Sequence, residues 1–209
     1  MKNLSYKPYL AHTRYIDSEH PSIKAQATFL ANGASNREVI AQRCFEFVRD
    51  QIEHSLDYKR NPVTCIASDV LKYRTGYCYA KSHLLAALLR ANNIPAGLCY
   101  QRLTITDVPP FCLHGLNAVY LENVGWYRID PRGNKKGVSA AFCPPNEKLA
   151  FPIVTAGEMD FAGILCEPLP IVIDALSSYA TYDDVLQNLP DIELAYANEW
   201  TVSALNHRP

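Results

Sequence analysis

The sequence predicts an α+β fold in which N-terminal helices pack on an antiparallel β-sheet, and three observations carry that expectation. Apolar residues recur at helical spacing through the first half of the chain. After Pro95 the pattern changes to short runs rich in β-branched and aromatic residues, with turn residues between them. Helices first and strands afterwards are the order of a helical layer set against a sheet.

The elements follow in order. A helix is expected over 22–31, closed by Asn32-Gly33. Ser35-Asn36-Arg37-Glu38 reads as a capping box, the serine satisfying the Glu38 backbone N–H while the glutamate reaches back. Behind it Ile40, Cys44, Phe47, Val48 and Ile52 predict a long amphipathic helix over 36–54. A further helix is expected over 78–92, where Leu84, Leu85, Leu88, Leu89 and Ala91 form a stripe wide enough to be buried on most sides. Asn92-Asn93 and then Ile94-Pro95 stop it. Strands are expected over 97–105, 115–121 and 126–129. The last third is punctuated by Pro144, Pro145, Pro152, Pro168, Pro170 and Pro190, so strands there are short or at an edge. A short helix is expected over 182–189.

The 209 residues fit one domain, with no composition shift to mark a second. A domain of this size buries roughly 70% of the surface of its unfolded chain and folds without metal or disulfide. The net charge of −1 and the absence of lysine or arginine runs point away from nucleic-acid and membrane-surface partners. Residues 1–13 lack the apolar core of a secretory signal, and the most apolar stretch, 84–100, is interrupted by Arg90, Asn92, Asn93 and Pro95. The seven cysteines are scattered, with no Cys-x-x-Cys pair to suggest a zinc site. Free thiols in a reducing cytoplasm are the expectation. No metal and no organic cofactor is implied. Residues 145–209 carry no motif, and a lid, an edge addition to the sheet and a dimer contact are all open to them.

The chemistry concentrates around Cys78. A glycine two residues ahead of a cysteine that opens a helix sets the sulfur at the helix N-terminus, where unpaired N–H groups and the helix dipole favour a thiolate. Gly76 permits the tight turn and a close substrate approach. Downstream, His114 is expected to open a strand, and a turn centred on Glu122 and Asn123 brings the chain back to Asp130. That turn sets 114 and 130 nearly opposite on adjacent antiparallel strands, close enough for a carboxylate to hold an imidazole N–H. Cys78 as nucleophile, His114 as base and Asp130 as the orienting group make a thiol enzyme.

Gly76-Tyr77-Cys78, the run from Lys81 through Ser82, His83, Leu84 and on to Arg90, and Ile94-Pro95-Ala96 together resemble the transglutaminase-like superfamily. So do His114-Gly115-Leu116-Asn117-Ala118 and Trp126-Tyr127-Arg128-Ile129-Asp130-Pro131. The matched core covers about 65–135. The resemblance implies a papain-like core, the triad just named, and acyl chemistry at an amide or ester through a thioester, with a peptide or protein as substrate. It also implies a second oxyanion donor from the segment before the nucleophile, where Tyr58 is the best aromatic candidate beside the Cys78 backbone N–H. Tyr77, Tyr79, Tyr100, Gln101 and Phe111 are candidates to line a cleft, and Trp126 shares strand parity with Asp130 and can support it.

Other residues read more simply. Cys44 is core, as are Cys65, Cys99, Cys143 and Cys166, and Cys112 is a loop thiol near His114. His83 is a packing histidine, and His54 a helix C-terminal residue where a cationic imidazole is favoured. Water is the default acceptor for an acyl-enzyme, which makes an amide or isopeptide hydrolase the leading expectation. No calcium-binding run of acidic residues points to a calcium-regulated cross-linker. An arylamine N-acetyltransferase would have Gly-Gly ahead of the cysteine and an acidic residue soon after it, where this chain has Thr75-Gly76 and Tyr79-Ala80-Lys81. An interaction module that keeps the fold without the chemistry is the reading of a different class.

Overall fold

The computed structural model describes residues 6–192. After a 3-10 turn at Lys7–Leu10 come α1 (Pro21–Ala31) and α2 (Arg37–Gln51), then β1 (Glu53–His54), α3 (Ser55–Tyr58), α4 (Ala67–Tyr73) and β2 (Thr75–Gly76). Helix α5 (Cys78–Ala91) precedes the strands β3 (Ala96–Thr104), β4 (Phe111–Leu121) and β5 (Gly125–Ile129). Strand β6 (Met159–Asp160) and helices α6 (Pro170–Ser178) and α7 (Tyr182–Gln187) complete the order. Among the described residues no helix is long and apolar enough to cross a membrane.

Helix α5 is the axis of the molecule. It packs on α1, α2 and α4 on one side and on β3 and β4 on the other, and thirteen of its fourteen residues are buried. Its leucine stripe explains most of that burial, but Lys81, His83 and Arg90 are buried with it and need partners. Backbone carbonyls supply them. The Lys81 ammonium donates to Ile52 O and Arg49 O, at the end of α2. His83 Nδ1 lies 2.8 Å from Cys65 O. Arg90 donates to Ala96 O at 2.9 Å, Ala11 O at 2.8 Å and Cys166 O at 2.7 Å, gathering three distant parts of the chain.

The main sheet is antiparallel, in the order β5-β4-β3-β6, and a separate two-residue parallel ladder joins β1 to β2. Odd-numbered β4 residues such as Leu113, Val119 and Leu121 face the core around α5, whereas Leu116 and Ala118 join Cys99 in a smaller outer cluster. The segment after 145 covers that outer face with Leu149 and Ile164, pairs Met159 and Asp160 with Arg102 and Gln101, and returns at Leu165 to bridge Leu98. That cover is why eight of the nine β3 residues are buried. Of the three roles open to 145–209, residues 159–160, with the bridge at Leu165, make an edge addition to the sheet; 193–209 lies outside the described residues.

Three expectations are corrected. The cap of α2 is Asn36, not Ser35: its side chain accepts from Val39 N at 2.9 Å, and the helix ends at Gln51 because the next residues pair with 75–76. Strand β4 begins at Phe111, so His114 lies within the strand instead of opening it. The β4–β5 register joins Asn117 to Ile129 and Leu121 to Gly125, which centres the turn on Asn123. Asp130 therefore lies diagonal to His114 by two residues, past the end of the ladder.

Candidate active site

The position of Cys78 is built by a reversal of the chain. Arg74 ends α4 in the left-handed region (φ 56°), β2 follows for two residues, and Tyr77 turns into α5 with no side chain capping the helix. Cys78 is thus the first helical residue, beside N–H groups with no acceptor inside the helix. A Cβ at Gly76 would lie 3.0 Å from the Ala80 Cβ and 3.2 Å from Thr64 Oγ1, so only glycine lets the turn lie this close to the helix it feeds.

Strand β4 brings His114. Its odd-numbered N–H groups point away from β3, because Tyr120 N–H, of the other parity, reaches back to Pro95 O at 2.9 Å beside the start of β3. One of the odd set, Gly115 N–H, donates to Cys78 Sγ at 3.4 Å. His114 is next to it. Its Nε2 lies 2.8 Å from Asp130 Oδ2, which assigns the proton there, and the ring also hydrogen-bonds the Cys78 side chain. With Nε2 engaged, Nδ1 is the nitrogen left for the sulfur. All three residues are buried: Cys78 is 6% exposed, His114 5% and Asp130 0%.

The electrostatics support an ionised His–Asp pair. Burial works against charge on His114, but Asp130 and Cys78 outweigh it and hold the imidazolium up to about 10. Burial also opposes ionisation of Asp130, yet His114 and two backbone N–H groups, Arg132 N and Ala150 N, both at 3.1 Å, keep its pKa below the usual value. The Phe151 ring meets His114 edge-on at 5.0 Å and covers it. Sequence reasoning missed Ala150 and Phe151, which sit in a segment with no motif.

The remaining candidates are spread out. Gln101 lies directly across from His114 in the β3–β4 register; its Nε2 reaches Asp160 Oδ1 at 3.0 Å, and Oε1 is buried without a partner. Tyr77 adjoins Cys78, with its hydroxyl donating to Tyr182 O at 2.5 Å. Tyr79 is fully buried and its hydroxyl donates to Leu113 O, so it braces β4 against α5 and presents nothing to a ligand. Tyr100 is buried, its hydroxyl accepting from Leu169 N at 3.3 Å, and Phe111 lies under the Arg102 guanidinium. Trp126 pairs with Tyr120, six residues along β4 from His114 and so about 20 Å away. It stacks with Tyr6, Tyr9 and Tyr120; shared parity does not bring it to the triad.

Tyr58 is 60% exposed and lines a pocket of about 350 Å³ whose lining includes none of Cys78, His114 and Asp130. Arg49, Lys81, Asp57, Arg132 and His54 line the same pocket. Arg132 holds Asp57 with a two-pronged pair at 2.6 and 3.0 Å. His54 is no cationic helix cap. Burial first, then Arg132, holds its pKa well below the usual value, and its ring meets Tyr77 edge-on at 5.6 Å. Its place between α2 and Cys78 was readable, but only the structure shows it buried beside Tyr77.

The sequence model of the transglutaminase-like superfamily matches residues 24–131, a stretch that holds all three triad residues. Among solved structures, a candidate cysteine protease from Cytophaga hutchinsonii is 23% identical, with a TM-score of 0.51 over 61% of this chain and 42% of that one. The periplasmic domain of TgpA from Pseudomonas aeruginosa is 18% identical, with a TM-score of 0.46 over 60% of this chain and 48% of that one. This chain therefore spans less than half the length of either. No curated protein matches it. With the family match covering more than half of its length, the chain belongs to the transglutaminase-like superfamily.

Proposed function

We propose that the protein is a cysteine hydrolase of amide or isopeptide bonds, with Cys78 as nucleophile, His114 as general base and acid, and Asp130 as the group that orients it. The observation that carries this reading is the continuous contact from sulfur to imidazole to carboxylate, with the carboxylate further held by Arg132 N and Ala150 N. In the first half-reaction Sγ attacks the carbonyl carbon and the oxygen takes up the negative charge. The C–N bond then breaks as His114 gives its proton to the departing amine. In the second, His114 takes a proton from water, hydroxide oxygen attacks the thioester carbon, and the sulfur leaves. The Cys78 N–H at the helix start is one donor suited to the oxyanion. His54 and Tyr58 both lie in the segment that would supply a second.

The substrate in this reading is a peptide or protein. The seven unpaired cysteines suit a reducing compartment, and the cytoplasm is the proposed location.

The test is acylation by p-nitrophenyl acetate, followed by intact mass and peptide mapping. One acetyl group on Cys78, absent in Cys78→Ala and His114→Ala, is expected, with release to water. Release to added methylamine in preference to water would make the protein an acyltransferase. No acetylation of Cys78 at all would sink the enzyme reading in favour of an interaction module.

A further inference from the structure

Beyond the pair Asn117–Ile129, strand β5 has ended and the edge of β4 that faces away from β3 is open. Two backbone N–H groups point out of that edge. Gly115 N–H meets the Cys78 sulfur, and Leu113 N–H donates to Pro190 O at 2.7 Å. The Pro190 contact belongs to residues 181–191, which run past the site as α7 and the turn after it. At the start of this segment Tyr182 O accepts from the Tyr77 hydroxyl, and Tyr182 N–H donates to Asn61 Oδ1 at 2.8 Å. At its end Asp191 forms a two-pronged pair with Arg102 at 2.7 and 2.6 Å. The segment is therefore fastened to the residue immediately before Cys78 and to the residue immediately before His114.

We propose that residues 181–191 are a self-inhibitory strap, which must leave the β4 edge before a polypeptide reaches Cys78. The physiological meaning of the strap rests on the reading of Cys78 as a nucleophile. The near-complete burial of Cys78 and His114 fits a closed state, since an extended chain has to lie against both. The fastening also suits reversible opening. Within 181–191 only Val185 and Pro190 are fully buried, whereas α5 buries nearly every residue. The contacts at the two ends are polar and few, and water offsets part of the loss of each when it opens. Segments with few buried apolar side chains open well below the free energy of global unfolding. Once the strap has left, Leu113 N–H is free to donate to a carbonyl of an incoming extended peptide, as a sheet edge does when a strand is added.

The experiment compares two thiol reagents on the wild type, Asp191→Ala and Asp191→Asn. Iodoacetamide is small and fluorescein-5-maleimide is bulky; labelling is read by peptide mass spectrometry against exposed Cys143. In the wild type the bulky reagent should lag at Cys78. Either substitution should raise its rate roughly tenfold while iodoacetamide labelling changes little. Asp191→Asn keeps the side chain's size and guards against a folding defect. Amide hydrogen exchange gives the second readout: Leu113 should exchange faster than Val119 in the wild type, and faster still in the variants. Bulky labelling unchanged by both substitutions, with Leu113 exchanging alongside Val119, overturns the strap. Strap opening without a Cys78 acetyl-thioester would sink the hydrolase reading alone, and a thioester in a protein whose strap never opens would sink the strap alone.

Discussion

Gly115 and Tyr79 approach so closely that a Cβ on the glycine would stand 2.9 Å from Tyr79 Cδ1 and 3.1 Å from its Cα. The Tyr79 backbone cannot retreat without moving the first turn of α5, and that turn carries Cys78. Gly115→Ala should therefore force the strand and the helix apart. We expect a stability loss of about 1–3 kcal/mol in urea unfolding, the usual range for overpacking, together with slower acetylation of Cys78. An unchanged unfolding midpoint would show that the contact relaxes without strain.

Asp130 accepts from His114, Arg132 N and Ala150 N, so its replacement tests orientation more than packing. Asp130→Asn should fold, with a near-native circular dichroism spectrum, and lose acyl turnover by up to roughly ten-thousand-fold, because an amide no longer fixes the Nε2–H tautomer. Full activity in this variant would remove Asp130 from the mechanism.

The thiols should sort themselves by environment. Burial pushes Cys44, Cys65, Cys99 and Cys112 up to about 12, so they stay protonated at neutral pH. Iodoacetamide at pH 8 should mark Cys78, Cys143 and Cys166 and leave those four silent, as peptide mass spectrometry would report. His114→Ala should slow Cys78 and leave Cys143 and Cys166 as they were. A general slowing at all three would point to an altered fold instead.

His83 sets a limit on acid stability. Burial holds it down to about 4 although its Nδ1 has a carbonyl partner, whereas the unfolded imidazole titrates near 6.5. The unfolded chain therefore binds the extra proton first. Stability is intact above about pH 6.5 and falls as the pH drops toward 4, by about 3 kcal/mol from this residue. Urea unfolding at pH 7 and pH 4.5 should show a smaller loss in His83→Gln than in the wild type. Equal losses in the two proteins would assign the acid sensitivity elsewhere.

Much of the frame was legible because it repeats. The apolar spacing of α2 and α5 and the β-branched runs of β3 to β5 gave element types and most ends, but β4 starts four residues before the expected 115 and α2 stops three residues before the expected 54. The cap moved from Ser35 to Asn36 because both are good N-caps one residue apart, and pattern alone does not choose between them. The turn between β4 and β5 was misplaced by half a residue, which shifts cross-strand pairing by one and made Asp130 look nearly opposite a residue that it meets diagonally. Strands β1 and β2 were invisible since two residues show no alternation. His54, Ala150 and Phe151 reach the site through contacts distant in sequence, which periodicity does not report. Trp126 shows the limit of parity: it names a face of the sheet but not the distance along it.

The triad residues all lie before 135, yet the groups that complete their surroundings come much later in the chain. Ala150 N–H braces the carboxylate and Phe151 covers the imidazole, while Arg90, at the far end of α5, waits for Cys166 O, 76 residues downstream. Contacts of such long separation form late, after the local helices. A chain emerging from the ribosome thus displays cysteine, histidine and aspartate well before they are aligned. On the reading proposed above, the site is assembled only when residues 150–166 have folded back on it.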